Sequence, residues 1–195
     1  METYLETAAR NLSRAREILR RSGIREAWEE AGAEVRTVGS LRTGLLMKHL
    51  DIDLHVYTGT LRPEQGFAVI ARIAARTAVR RMEFLDLSAT DEKCLEWHLY
   101  LPDEEGDLWQ VDMIQIPKGS RYDGHFERIA DRIAARLTPE LKRTILRIKH
   151  DVPDGTKAAG IEICRAALDD GITDYQEFIR WKRTHPDGSS MEWLP

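Results

Sequence analysis

The stretch Val38-Gly-Ser-Leu-Arg-Thr-Gly-Leu-Leu-Met-Lys-His-Leu-Asp-Ile-Asp-Leu-His-Val-Tyr57 decides the fold. Residues 34–38 read as a strand that delivers the chain to Gly39 and Ser40. Residues 52–57 read as a second strand, opened by Asp51-Ile-Asp53. Side chains alternate along a strand, so Asp51, Asp53 and His55 share one face and Ile52, Leu54 and Val56 the other. The apolar set is a core face. Two carboxylates side by side repel one another unless a counter-charge sits with them. A divalent cation is the usual counter-charge, and all-oxygen ligands favour magnesium, manganese or calcium over zinc.

Working outward, residues 81–87, 94–101 and 108–116 are three more strand-like runs. The last two are joined by Pro102-Asp-Glu-Glu-Gly-Asp107, a polar turn of the hairpin kind. In the fourth strand Leu95, Trp97, Leu99 and Leu101 share one face, and Glu96, His98 and Tyr100 the other. In the fifth, Val111 and Met113 alternate with Gln110, Asp112 and Ile114. Such strands make a sheet with helices on one face and a cleft on the other.

The helical pattern fills the remainder. Thr3 and Glu6 form a capping box for a first helix whose stripe runs Leu5, Ala8, Leu12, Ala15, Ile18, and Gly23 stops it. Residues 24–31 make a second, short helix, residues 41–47 a short helix or turn, and Pro63 opens a helix to about residue 78. After Ser120 the pattern predicts helices over 121–137, 139–150, 157–169 and 174–183, the last capped by Thr173 with Gln176. Residues 185–195 read as loop. The fold class is α+β: a mixed sheet of about five strands with helices on one face, followed by a helical C-terminal part. The change of structure type near Lys118 divides the chain into residues 1–118 and 119–195.

Gly39-Ser40, then Gly44, then Asp51-Ile-Asp53 resembles the signature of the polymerase-β-like nucleotidyltransferase superfamily, over roughly residues 33–117. The resemblance implies a magnesium- or manganese-dependent enzyme. It would move a nucleoside monophosphate from a nucleoside triphosphate such as ATP to a hydroxyl. By that likeness Asp51, Asp53 and a third carboxylate hold the metal ions and are catalytic, while Gly39 and Ser40 hold the phosphates. Asp112, an acid inside the apolar run Val111-Asp-Met-Ile114, is the candidate third carboxylate, with Glu96 as its rival. Arg42 and Lys48 are candidate triphosphate contacts. The histidines His49, His55 and His98 lack the short ligand spacing of a zinc site and read as polar neighbours. The alternative is a non-catalytic nucleotide- and metal-binding regulatory module on the same fold.

Composition narrows the partners. The 195 residues carry a formal net charge of −4, with 42% hydrophobic and 32% charged residues. Those proportions are those of a soluble globular chain. No global positive field draws in a polyanion, which makes a small-molecule or protein acceptor the expectation and nucleic acid the lesser one. Cys94 and Cys164 form no metal or redox spacing and suit a reducing cytoplasm. No run of about 20 apolar residues predicts a membrane span.

Overall fold

The computed structural model describes residues 3–185 and 192–195; part of the expected C-terminal loop lies outside them. By contact the chain forms two units. One comprises Ser13–Val38 and Leu50–His125; the other comprises the residues up to Leu12, Gly39–His49, and the chain from Phe126 onward.

The first unit is organised by its sheet. β1 (Glu34–Thr37) runs antiparallel to β2 (Asp51–Thr58). β3 (Arg81–Asp86) pairs antiparallel with β4 (Leu95–Pro102), and β4 antiparallel with β5 (Leu108–Pro117). A parallel pairing of β2 with β5 joins the two sets, giving the order β1-β2-β5-β4-β3. The sheet is therefore mixed and five-stranded, as the sequence predicts.

The turn between β4 and β5 is a tight hairpin. Asp103 N donates to Asp107 O at 2.9 Å, and Gly106 supplies a positive φ of 89°. Asp103 organises the loop: Oδ1 accepts from the backbone of Glu105 and Asp107 at 2.9 and 3.0 Å, and Oδ2 from Trp109 Nε1 at 2.9 Å. Arg14 lies against the same carboxylate, its Nε donating at 2.8 Å.

Burial follows the alternation. Ile52, Leu54, Leu95, Trp97, Leu99, Val111 and Met113 are 0–1% exposed, while Asp51, Asp53, Glu96, His98, Gln110 and Asp112 on the opposite face are partly exposed. Helices cover the apolar face. α1 (Tyr4–Ser22) enters the unit at Ser13 and ends at Gly23, whose φ of 64° opens α2 (Ile24–Glu30). Trp28 of α2 donates from Nε1 to Met113 Sδ at 3.2 Å and meets Trp97 edge-on at 6.3 Å. An edge-on aromatic pair of this kind contributes about 0.5–1.5 kcal/mol beyond burial.

The second unit is helical. α3 (Gly39–Thr43) is a five-residue helix that Gly44 ends with a φ of 74°. It is shorter and earlier than the 41–47 reading, because the left-handed Gly44 stops it before Leu45. The residues that follow, Leu45 and Met47, are 1% and 2% exposed and join the helical core. In the first unit, α4 (Pro63–Arg76) packs on the sheet through Gly66; a Cβ there would stand 2.1 Å from the Trp97 ring.

α5 (His125–Arg136), α6 (Pro139–Asp151), α7 (Gly160–Asp169) and α8 (Tyr175–Thr184) complete the chain. Ile133, Ile145, Leu146, Ile163, Phe178 and Trp181 form their shared core. α5 and α7 start later than in the sequence reading. Residues 121–124 are turn, held by Gly119 N donating to Asp123 Oδ2 at 2.8 Å and by Gly124 at a φ of 68°. Residues 157–159 stay extended; Lys182 Nζ donates to Lys157 O at 3.1 Å.

Candidate active site

The sheet register sorts the polar face into rows. Asp53 of β2 is the Cα partner of Asp112 of β5, and Asp112 is the partner of His98 of β4. Asp51 lies two residues before Asp53 on the same face and pairs with Gln110. Neighbouring strands stand about 4.8 Å apart, so Asp53 and Asp112 rise side by side from adjacent strands. Like charges directly opposite one another destabilise a sheet. Such a row is stabilised by a counter-charge beside it. The three aspartates on these two rows offer carboxylate oxygen, which suits magnesium or manganese.

Asp112 is tightly held. Its Oδ1 lies 2.5 Å from His98 Nδ1, and Gln110 Nε2 donates to Oδ1 at 2.9 Å and to Oδ2 at 3.1 Å. His98 Nε2 in turn faces Glu96 Oε2 at 3.2 Å. Glu96 is the partner of Ile114, one row beyond Asp112 and two strands from β2. It is therefore not adjacent to Asp53 in the ladder.

His55 is 5% exposed, and its Nδ1 lies 3.2 Å from the hydroxyl of Tyr57, which also accepts from Gly124 N at 3.1 Å. It is a buried polar neighbour on the strand that carries the aspartates. Glu92, Cys94 and Glu96 have ligand atoms within 4.8 Å of one another. Burial first, then the charges of Glu96 and Glu92, pushes the Cys94 thiol up to about 11.

The candidate phosphate residues lie in the helical unit. Gly39 has a φ of 56° at the start of α3, a conformation that glycine adopts without steric cost. Ser40 Oγ accepts from Lys149 Nζ at 2.7 Å, and the same ammonium donates to Leu45 O at 2.8 Å. Lys149 lies on α6, more than a hundred residues away in the chain. Arg42 makes a two-pronged pair with Asp131 of α5 at 2.6 and 2.8 Å, and its hydrogen bonds hold the Asp131 carboxyl below its ordinary range. Lys48 Nζ is 3.0 Å from Asp154 and lowers that carboxyl likewise.

No family model and no curated protein matches the chain. Solved structures do. A crystal structure of the Cid1 poly(U) polymerase aligns over 82% of this chain and 48% of its own, with a TM-score of 0.56 and 19% identity. A cytoplasmic RNA terminal U-transferase aligns over 72% of this chain and 40% of its own, with a TM-score of 0.52 and 20% identity. The chain shares the fold of these two structures over the aligned residues. The chain spans less than half the length of these two structures. At such identities the likeness is one of fold, and chemistry has to be argued from the site.

His98 and Lys149 are the residues whose contacts sequence reading missed. The first could have been found by counting: once Pro102 and Leu108 close the hairpin, His98 falls opposite Asp112. No comparable local signal exists for Lys149, since only packing brings α6 to Ser40.

Proposed function

We propose that the chain is a magnesium-dependent nucleotidyltransferase that moves a nucleoside monophosphate from a nucleoside triphosphate to a hydroxyl and releases pyrophosphate. The observation that carries the reading is the register of Asp53 with Asp112 across a parallel pair, with Asp51 on the same face. Asp51, Asp53 and Asp112 would hold the metal ions. Bound there, magnesium would neutralise the phosphates and polarise the acceptor hydroxyl. Asp112 receives or orients the acceptor proton as the acceptor oxygen bonds to the α-phosphorus and the bond to pyrophosphate breaks.

The amides of Gly39 and Ser40 bind phosphate oxygens, and Lys149 beside Ser40 adds a positive charge. Arg42 and Lys48 contribute by exchanging partners. Their pairs with Asp131 and Asp154 involve carboxylates 60% and 91% exposed, and exposed pairs are screened by water and contribute little. A triphosphate, with several charges and many acceptor oxygens, outcompetes either one.

The acceptor is a hydroxyl of a small molecule or protein, in keeping with the net charge of −4. A second reading, an RNA end, is favoured by neighbours described as a poly(U) polymerase and an RNA terminal U-transferase. Labelled triphosphate is incubated with magnesium and three acceptor sets: hydroxylated small molecules, a protein mixture including the chain itself, and an RNA oligomer. Gel mobility and thin-layer separation identify the product. Triphosphate binding without pyrophosphate release across all three sets would overturn the enzyme in favour of the regulatory module.

A further inference from the structure

Asp112 is fixed by side chains that its two strands bring to it. A carboxylate offers about four lone-pair sites over its two oxygens and donates nothing when ionised. His98 and Gln110 both approach Oδ1, at 2.5 and 2.9 Å, and fill it. Among the described residues Oδ2 meets only Gln110, at 3.1 Å, and keeps one site open. On its other edge the His98 ring faces Glu96 at 3.2 Å. Glu96 sits two residues back along β4 on the same face, so the strand itself sets the spacing of the two acids about the ring. The side chains of His98, Asp112 and Glu96 are 14%, 19% and 21% exposed, which limits competition from water.

We infer that His98 is a positioning residue: oriented by Glu96, it pins Oδ1 of Asp112 and presents Oδ2 to the divalent cation and the acceptor hydroxyl. The inference rests on the reading of Asp112 as the third carboxylate. Metal-site carboxylates are held by outer partners in this manner, and removing such a partner costs about 10–100-fold in metal affinity or activity. It also gives Glu96 a task, that of holding the ring, different from direct ligation.

The experiment compares wild type, His98→Ala, His98→Asn and His98→Gln as full-length chains. Manganese affinity is read by electron paramagnetic resonance in the presence of a non-hydrolysable triphosphate, and kcat and KM by pyrophosphate release. His98→Ala is expected to lose about 10–100-fold in manganese affinity and in kcat, with KM for the triphosphate changed little. His98→Asn places an amide donor where Nδ1 stood and should recover most of the loss; His98→Gln, whose donor reaches the other end of the ring, should not. Melting temperatures establish that each variant is folded. Wild-type manganese affinity and kcat in His98→Ala overturn the positioning role alone. Equal losses in the three variants, tracking their melting temperatures, also overturn it, in favour of packing. A wild type that neither binds manganese nor releases pyrophosphate overturns the nucleotidyltransferase reading and the inference with it.

Discussion

At the scale of single residues, the proposed chemistry separates two aspartates that the sequence presents as equals. Asp53 and Asp112 share a row, yet Asp112 is the one gripped by His98 and Gln110. Asp112→Asn should keep much of the triphosphate affinity and lose transfer by at least about 10²-fold, the low end for loss of a positioned proton acceptor. Asp53→Asn should lose both. Paired measurements of nucleotide affinity and pyrophosphate release test this, and transfer at the wild-type rate by Asp112→Asn would remove Asp112 from the site. The faces themselves were legible from the sequence, because alternation of Leu95, Trp97 and Leu99 with Glu96 and His98 fixes which side chains share a face. The grip on Asp112 was not read, because it depends on the pairing of two strands and not on the pattern within either.

At the scale of elements, caps and close contacts were legible where one residue type permits one geometry. Thr3 and Glu6 close the capping box of α1 as read: Thr3 N donates to Glu6 at 2.8 Å and Glu6 N to Thr3 Oγ1 at 3.2 Å. The start of α8 was misread by one position. Thr173 with Gln176 and Asp174 with Glu177 both fit a capping pattern, and the chain uses the second: Glu177 N donates to Asp174 Oδ1 at 2.8 Å, while Glu177 reaches back to Thr173 N at 2.9 Å. Two overlapping motifs cannot be ranked without knowing which face Phe178 and Trp181 must bury. Asp174→Ala should therefore cost about 1 kcal/mol, and Thr173→Ala less, by denaturant titration.

The β4–β5 hairpin carries a pH signature. Burial pushes the Asp103 carboxyl up, but hydrogen bonds from Trp109 and Arg14 and the charge of Arg14 outweigh it, and the net direction is down. A carboxyl lowered in the folded state stabilises above its unfolded value, about 3.9, and that contribution disappears as pH falls through the lower folded value. Asp103→Asn should lower the melting temperature at pH 7, and the gap to wild type should narrow below about pH 4. A gap that stays constant across that range would mean that the carboxylate's charge plays no part.

At the scale of the whole molecule, ligand binding should appear as stability. If magnesium and triphosphate bind the folded chain together, ligand at 100 times its Kd adds about 2.7 kcal/mol. For a chain of this size that corresponds to a rise of about 5–11 °C in melting temperature. Chelation of the metal with EDTA should abolish most of the rise; an equal rise with EDTA present would sink the metal-dependent reading. Among the described residues no helix is long and apolar enough to cross a membrane. At this scale the sheet was the legible part, since each strand declares its faces. The gathering of Gly39–His49 with the late helices was not, because Leu45 and Met47 read as apolar without naming the core they enter.

That segment also sets an order in time. Gly39–His49 leaves the ribosome between β1 and β2, but most of the core that receives Leu45 and Met47 is supplied by residues from Phe126 onward, with Ala8 of α1. Until those helices emerge, the nascent chain carries two buried-type side chains without most of the core that covers them, next to the glycine turn proposed to hold phosphate. The segment proposed to bear the phosphate residues is thus made before the helices it packs with, and its final setting depends on chain that follows it by more than seventy residues.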